Sequence, residues 1–141
     1  MGVNPESDYD VIWGDVIALA DYDVIESELN TLEVNMRWHA LQLMPESYKV
    51  FAHLRKADTD EIIHQVDTIP QNWTYPTDWW EANEIITDML SIPLDDLEPG
   101  RYELWLGFYN EDSGERLPLA DTIDPTLSIK TEAVKIYEFE Q

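Results

Sequence analysis

The chain contains no cysteine. Disulfides, thiolate metal sites and a cysteine nucleophile are therefore excluded, although many exported proteins also lack cysteine and no compartment follows. It has only five glycines. Neither a G-x-x-x-x-G-K-[ST] nor a G-x-G-x-x-G phosphate cradle is present. Serines sit mainly in turn-like contexts and no G-x-S-x-G occurs, so a nucleophilic triad has no support. Basic residues are scarce: eight Lys and Arg against thirty Asp and Glu, a net charge of -22. Such a chain repels nucleic acid and anionic lipid, and neither is expected as a partner. No apolar run approaches the ~20 residues of a membrane-spanning helix. The start, "MGVNPESDYD", is polar and acidic and lacks the apolar core of a secretory signal. If the domain works outside the cytoplasm, it is expected to be a piece of a longer chain or a processed one.

What remains suits one globular domain. The 141 residues are 44% hydrophobic and include 16 aromatics, enough for a single core. We expect one domain over 1–141, with 1–10 as a lead-in. The acids are spread without a tail or block, which reads as a solvated acidic surface.

Period-2 alternation dominates. In "TLEVNMRWHA", Leu32, Val34, Met36, Trp38 and Ala40 share one face, as in a half-buried antiparallel strand. "SYKVFAHL" sets Tyr48, Val50, Ala52 and Leu54 against Phe51 and His53. "EIITDMLSIPL" groups Ile86, Leu90, Ile92 and Leu94. "RYELWLGFY" alternates Tyr102, Leu104, Leu106 and Phe108 against Glu103, Trp105, Gly107 and Tyr109. "VIWGDVIALADYDVI" gives one or two strands, "EIIHQVDTI" a shorter one and "EAVKIYEF" the last, with a partial strand near 127–129. The pentapeptide "DYDVI" occurs at 8–12 and 21–25, a chance repetition. Turn signals separate the runs: "MPES", "KADTD", "DLEPG" and "NEDSG". No segment keeps a helical period. This spacing predicts an all-β, immunoglobulin-like antiparallel sandwich of seven to nine strands, with Trp38, Ile86, Leu104 and Leu106 in its core. "LEPGRYEL" has the form of the entry to the sixth strand, where a tyrosine, here Tyr102, anchors the corner between sheets.

Candidate chemistry is sparse. His39, His53 and His64 fall on three strands, with His39 and His53 expected in different sheets and no H-x-x-x-H spacing, so no zinc site is expected. Glu84 and Asp88 could be imagined as a glycosidase pair, but turn capping and strand-edge hydrogen bonding is the default for them. The acids suit calcium best. Asp58 and Asp60 of "ADTDE" are the first candidates, ahead of Asp95, Asp96 and Glu98 of "LDDLE". Neither cluster has the D-x-D-x-D-G loop. Beyond that calcium candidate no cofactor is expected.

The order of "YKVFAHL", "HQVDTIP", "YPTDWWEANEIITD" and "IPLDDLEPGRYELWLGFYNEDSGERLPL" resembles a bacterial β-sandwich domain. That domain stands at the C-terminal end of large membrane glycosyltransferase-like proteins of the dolichyl-phosphate-mannose mannosyltransferase type. The resemblance covers about residues 14 to 120. Where the family pattern has Pro-Gly before Glu, this chain has Ala82 and Asn83 before Glu84; asparagine tolerates a left-handed turn next best after glycine. Trp80 matches the pattern's tryptophan and Trp79 is extra. The resemblance implies a non-catalytic, extracytoplasmic accessory role and carries no catalytic residue, since fold does not imply function.

The segment "NWTYPTDWWEANE" holds Trp73, Tyr75, Trp79 and Trp80 beside Pro76. Two readings follow. In the first the domain is a structural or interaction module with a protein or glycan contact surface. In the second it is a carbohydrate-binding module, with Trp73, Tyr75 and Trp79 stacking on sugar rings. Adjacent residues in extended chain point to opposite sides, so Trp80 is expected inside as a latch and Trp79 outside.

Overall fold

The fold is described from a computed structural model, which describes residues 11–27, 30–59, 61–95, 97–119, 129–130 and 133–141. The strands are β1 (Ile12–Trp13), β2 (Ile17–Glu26), β3 (Thr31–Ala40), β4 (Tyr48–Lys56), β5 (Ile62–Thr68), β6 (Ile85–Pro93), β7 (Arg101–Asn110), β8 (Ile129–Lys130) and β9 (Ala133–Glu140). Every pairing is antiparallel. One sheet has the order β1-β2-β3-β6 and the other β5-β4-β7-β9-β8. Strands β2, β3 and β6 stand as A, B and E of an immunoglobulin-like sandwich, facing C′, C, F and G, which are β5, β4, β7 and β9. The expected architecture is the one observed. The repeated "DYDVI" places its second copy in β2, while residues 1–10, 60, 96 and 127–128 lie outside the described residues.

Alternation explains the interior. β6 buries every second residue from Ile86 to Ile92. Trp38, Ile86, Leu104 and Leu106 are all buried in the main core. At its centre Trp13, Trp38 and Phe108 meet edge to face, with ring centroids 4.8–5.9 Å apart. That geometry suits the aromatic quadrupole. Three aromatics from three strands thus lock both sheets together.

Two details tie the ends. Tyr102 is the second residue of β7, and its hydroxyl donates to the Glu98 carbonyl at 2.6 Å. This is the corner tyrosine that "LEPGRYEL" predicted, and it does more than fill the core. Gly14 adopts φ +57, and a Cβ there would lie 2.9 Å from Leu117 Cδ2. Glycine takes this φ without strain and lets the turn pack closely on Leu117; the Gly14 N–H donates to Pro118 O at 2.7 Å.

His39 lies on β3 and His53 on β4, in different sheets as expected. No cluster of three or more metal-ligating groups occurs among the described residues. Among the described residues no helix is long and apolar enough to cross a membrane.

Candidate functional site: the aromatic crossover

The aromatic segment carries the chain from β5 in one sheet to β6 in the other. It must therefore span the end of the sandwich. It does so with a four-residue helix, α1 (Pro70–Trp73), followed by a 3-10 turn over Thr77–Trp79. Neither was visible as a helical period. Pro70 sits at the first helical position, where its missing N–H costs nothing.

Asp88 governs the entry to this crossover. It lies on the buried face of β6. Its Oδ2 accepts from the Trp38 indole at 3.2 Å. Its Oδ1 accepts from the N–H of Gln71 at 2.7 Å and of Met89 at 2.9 Å. Gln71 has φ +57, an uncommon conformation for a non-glycine residue that costs on the order of 1–3 kcal/mol. The bond to Asp88 and a second from its amide to Thr87 O at 2.9 Å hold it there. Burial pushes the Asp88 carboxyl up from its ordinary value, against the three hydrogen bonds.

The turn itself is anchored by Thr77. Its hydroxyl is fully buried, donates to Glu46 O at 3.0 Å and accepts from the Tyr48 N–H at 2.9 Å. This fixes Trp79 and Trp80 on opposite sides. Trp80 is 2% exposed and belongs to the main core. Its indole N–H donates to the Tyr75 carbonyl at 3.0 Å, which satisfies the one polar atom it buries. Trp79 is 63% exposed and has no ring partner among the described residues. Trp80 is thus inside and Trp79 outside, as expected, but Trp79 ends a 3-10 turn, so the separation does not come from the alternation of an extended segment.

Tyr75 is half-buried against the core, and its ring lies 6.4 Å from that of Trp80 at a tilt of 43°. Its hydroxyl donates to the Glu84 carboxylate at 2.8 Å, and this bond raises its pKa. Glu84 also accepts from the Glu81 N–H at 2.9 Å. Asn83 has φ +70, so the asparagine takes a left-handed turn before Glu84, a conformation it tolerates next best after glycine. The candidates Tyr75 and Trp79 thus form no coplanar platform: Tyr75 is tied inward and Trp79 stands alone. The side chain of Trp73 lies outside the described residues. Glu84 and Asp88 each hold local structure, the default assigned to them. Of the calcium candidates, Asp58 is exposed in the turn between β4 and β5, and Asp60 and Asp96 lie outside the described residues. Asp95 accepts from the Asn30 amide at 3.1 Å, and Glu98 pairs with Lys56 at 3.1 Å.

No family model matches the chain, and no curated protein does. Among solved structures it is similar to a DUF3823 family protein from Bacteroides ovatus ATCC 8483. The match has 11% identity and a TM-score of 0.46, over 77% of this chain and 53% of that one. The chain thus spans about half the length of that structure.

A second cluster escaped the sequence reading. Phe51, Trp105 and Ala133 are buried on the outer face of the five-stranded sheet, with Tyr109 packed against them. The signal was present: Phe51, Trp105 and Tyr109 are aromatics at positions that alternation assigns away from the core.

Proposed function

We propose that the chain is a non-catalytic β-sandwich interaction module. In this reading it works outside the cytoplasm, within or beside a membrane glycosyltransferase-like protein, and presents Trp79 to a protein or glycan partner. One observation carries the contact surface. Trp79 is 63% exposed on a turn held rigid by Thr77, while Tyr75 and Trp80 of the same loop are engaged inside. A rigid exposed aromatic offers a large apolar face at little entropic cost, as contact surfaces do. The setting rests on the sequence resemblance. The non-catalytic part rests on Glu84, whose carboxylate accepts from the Tyr75 phenol and the Glu81 N–H, and on Asp88, whose carboxylate accepts from the Trp38 indole and two backbone N–H groups.

The test is a photo-cross-linking residue at position 79, compared with one at the exposed Asp112. A discrete adduct from position 79 that excess unmodified domain competes away, and that position 112 does not form, is the expected result. Identical adducts from both positions, or none, refute the contact surface. Turnover of a glycoside substrate that Glu84→Gln abolishes refutes the non-catalytic reading.

A further inference from the structure

The outer face of the five-stranded sheet carries a cleft of about 370 Å³. Its walls come from β4 (Phe51, His53), β5 (Ile62, Gln65, Asp67), β7 (Tyr109) and the segment after it (Gly114, Arg116). The register explains the assembly. Phe51 pairs with Asp67 on one side and with Gly107 on the other, and His53 pairs with Gln65 and Trp105. Gly107 offers no side chain, so the face dips between Phe51 and Tyr109, whose rings are 6.3 Å apart.

The polar groups are arranged in advance. The Tyr109 hydroxyl donates to Asp67 Oδ2 at 3.1 Å, and the Gln65 amide donates to the same carboxylate at 3.2 Å. Burial and the neighbouring Asp67 push the Tyr109 phenol up to about 12, so it stays protonated. The Arg116 guanidinium lies 4.5 Å from the centre of the Phe51 ring. His53 is 3% exposed, and its Nδ1 is closed off from solvent without a hydrogen-bond partner among the described residues. First burial, and then Arg55 and Arg116, hold the His53 imidazole down at about 4, so it is neutral at physiological pH.

Charge selects the ligand class. Arg55 and Arg116 beside His53 disfavour a cation. Asp67 in the wall and a net charge of -22 disfavour an anion. The cleft then offers the Tyr109 ring and its phenol, a carboxylate, an amide and a guanidinium, all within one small volume above the buried Phe51 and His53. An uncharged ligand with many hydroxyls and an apolar ring face can use all of them. We propose that this cleft is a binding site for a neutral sugar, mono- or disaccharide in size, with its hydroxyls bonding Asp67, Gln65 and Arg116 and its apolar face against Tyr109. Its volume falls at the small end of the about 300–1,000 Å³ of ligand pockets. The inference rests on the reading of the chain as a binding module, but it uses a different face from Trp79.

The experiment is an amide chemical-shift titration of the full chain with glucose, mannose, galactose, N-acetylglucosamine, cellobiose and maltose, and with glucuronate as the charged control. The expected result is saturable shifts at Phe51, His53, Gln65, Asp67, Tyr109, Gly114 and Arg116, with a Kd on the order of 1 mM. Gln65→Ala and Asp67→Asn, both at the rim, should each weaken binding roughly tenfold, while Trp79→Ala should leave it unchanged. No localised shift with any of the neutral sugars overturns the proposal. So does binding of glucuronate alone that salt abolishes, because that is ion pairing with arginine. Shifts confined to the crossover loop and lost in Trp79→Ala overturn it while sustaining the proposed function.

Discussion

Replacing Trp80 by alanine should remove the latch that closes the end of the sandwich. A tryptophan carries about 150–250 Å² of surface, and at about 25 cal/mol per Å² its burial is worth roughly 4–6 kcal/mol. Trp80 is 2% exposed, so nearly all of that applies. The crossover can collapse partly into the space left, which brings the expected loss into the about 3–5 kcal/mol range of large aromatic truncations. The Tyr75 carbonyl also loses its donor at 3.0 Å, but Tyr75 is only half-buried and water can replace it. A loss of about 4 kcal/mol is a large share of a stability of about 5–15 kcal/mol. At about 3–5 °C per kcal/mol for a domain of this size, the melting temperature should fall by roughly 12–20 °C. Urea unfolding followed by circular dichroism gives the same quantity, provided the slope is unchanged between variants. Trp79→Ala is the internal control, and its 63% exposure predicts a change within about 0.5 kcal/mol. If both variants lose equal stability, the loop is core throughout. If Trp80→Ala costs less than about 1 kcal/mol at constant slope, burial of its ring does not close the sandwich, and the reasoning fails.

Three further outcomes are expected. Because burial lowers the His53 pKa from 6.5 to about 4, the unfolded chain binds the extra proton. The corresponding stability is complete above pH 6.5 and is lost as pH falls towards 4, to the extent of roughly 3 kcal/mol; the difference in pH–stability profile between the native protein and His53→Phe measures it. Tyr102→Phe should cost about 0.5–1.5 kcal/mol by deleting the hydroxyl that reaches Glu98 O at 2.6 Å, whereas plain core packing predicts almost no change in urea midpoint. Self-repulsion at a charge of -22 should make the melting temperature rise with sodium chloride; a flat response refutes that, and a rise with calcium that magnesium does not reproduce would favour a specific calcium site over screening.

The amino-acid pattern alone settled a good deal. Period-2 alternation placed nearly every long strand, because the pleat sends successive side chains to opposite faces whatever the strand pairs with. β3 and the core positions Trp38, Ile86, Leu104 and Leu106 followed from it. Adjacency gave the right sides for Trp79 and Trp80, although a 3-10 turn rather than an extended segment separates them. "LEPGRY" located the corner tyrosine, since it depends on a few consecutive backbone angles, while the left-handed turn at Asn83 was expected from the sequence resemblance. The tertiary structure alone decided everything that depends on which strands become neighbours. Asp88 became the buried partner of Trp38 because β6 pairs with β3, and of Gln71 because the crossover folds back on β6. The outer-face cleft exists because β4 lies between β5 and β7, bringing Phe51, Asp67 and Tyr109 together from positions up to 58 residues apart. Alternation says which face a residue occupies. Sheet order and register, set by the packing of both sheets around Trp13, Trp38 and Phe108, say what it meets there.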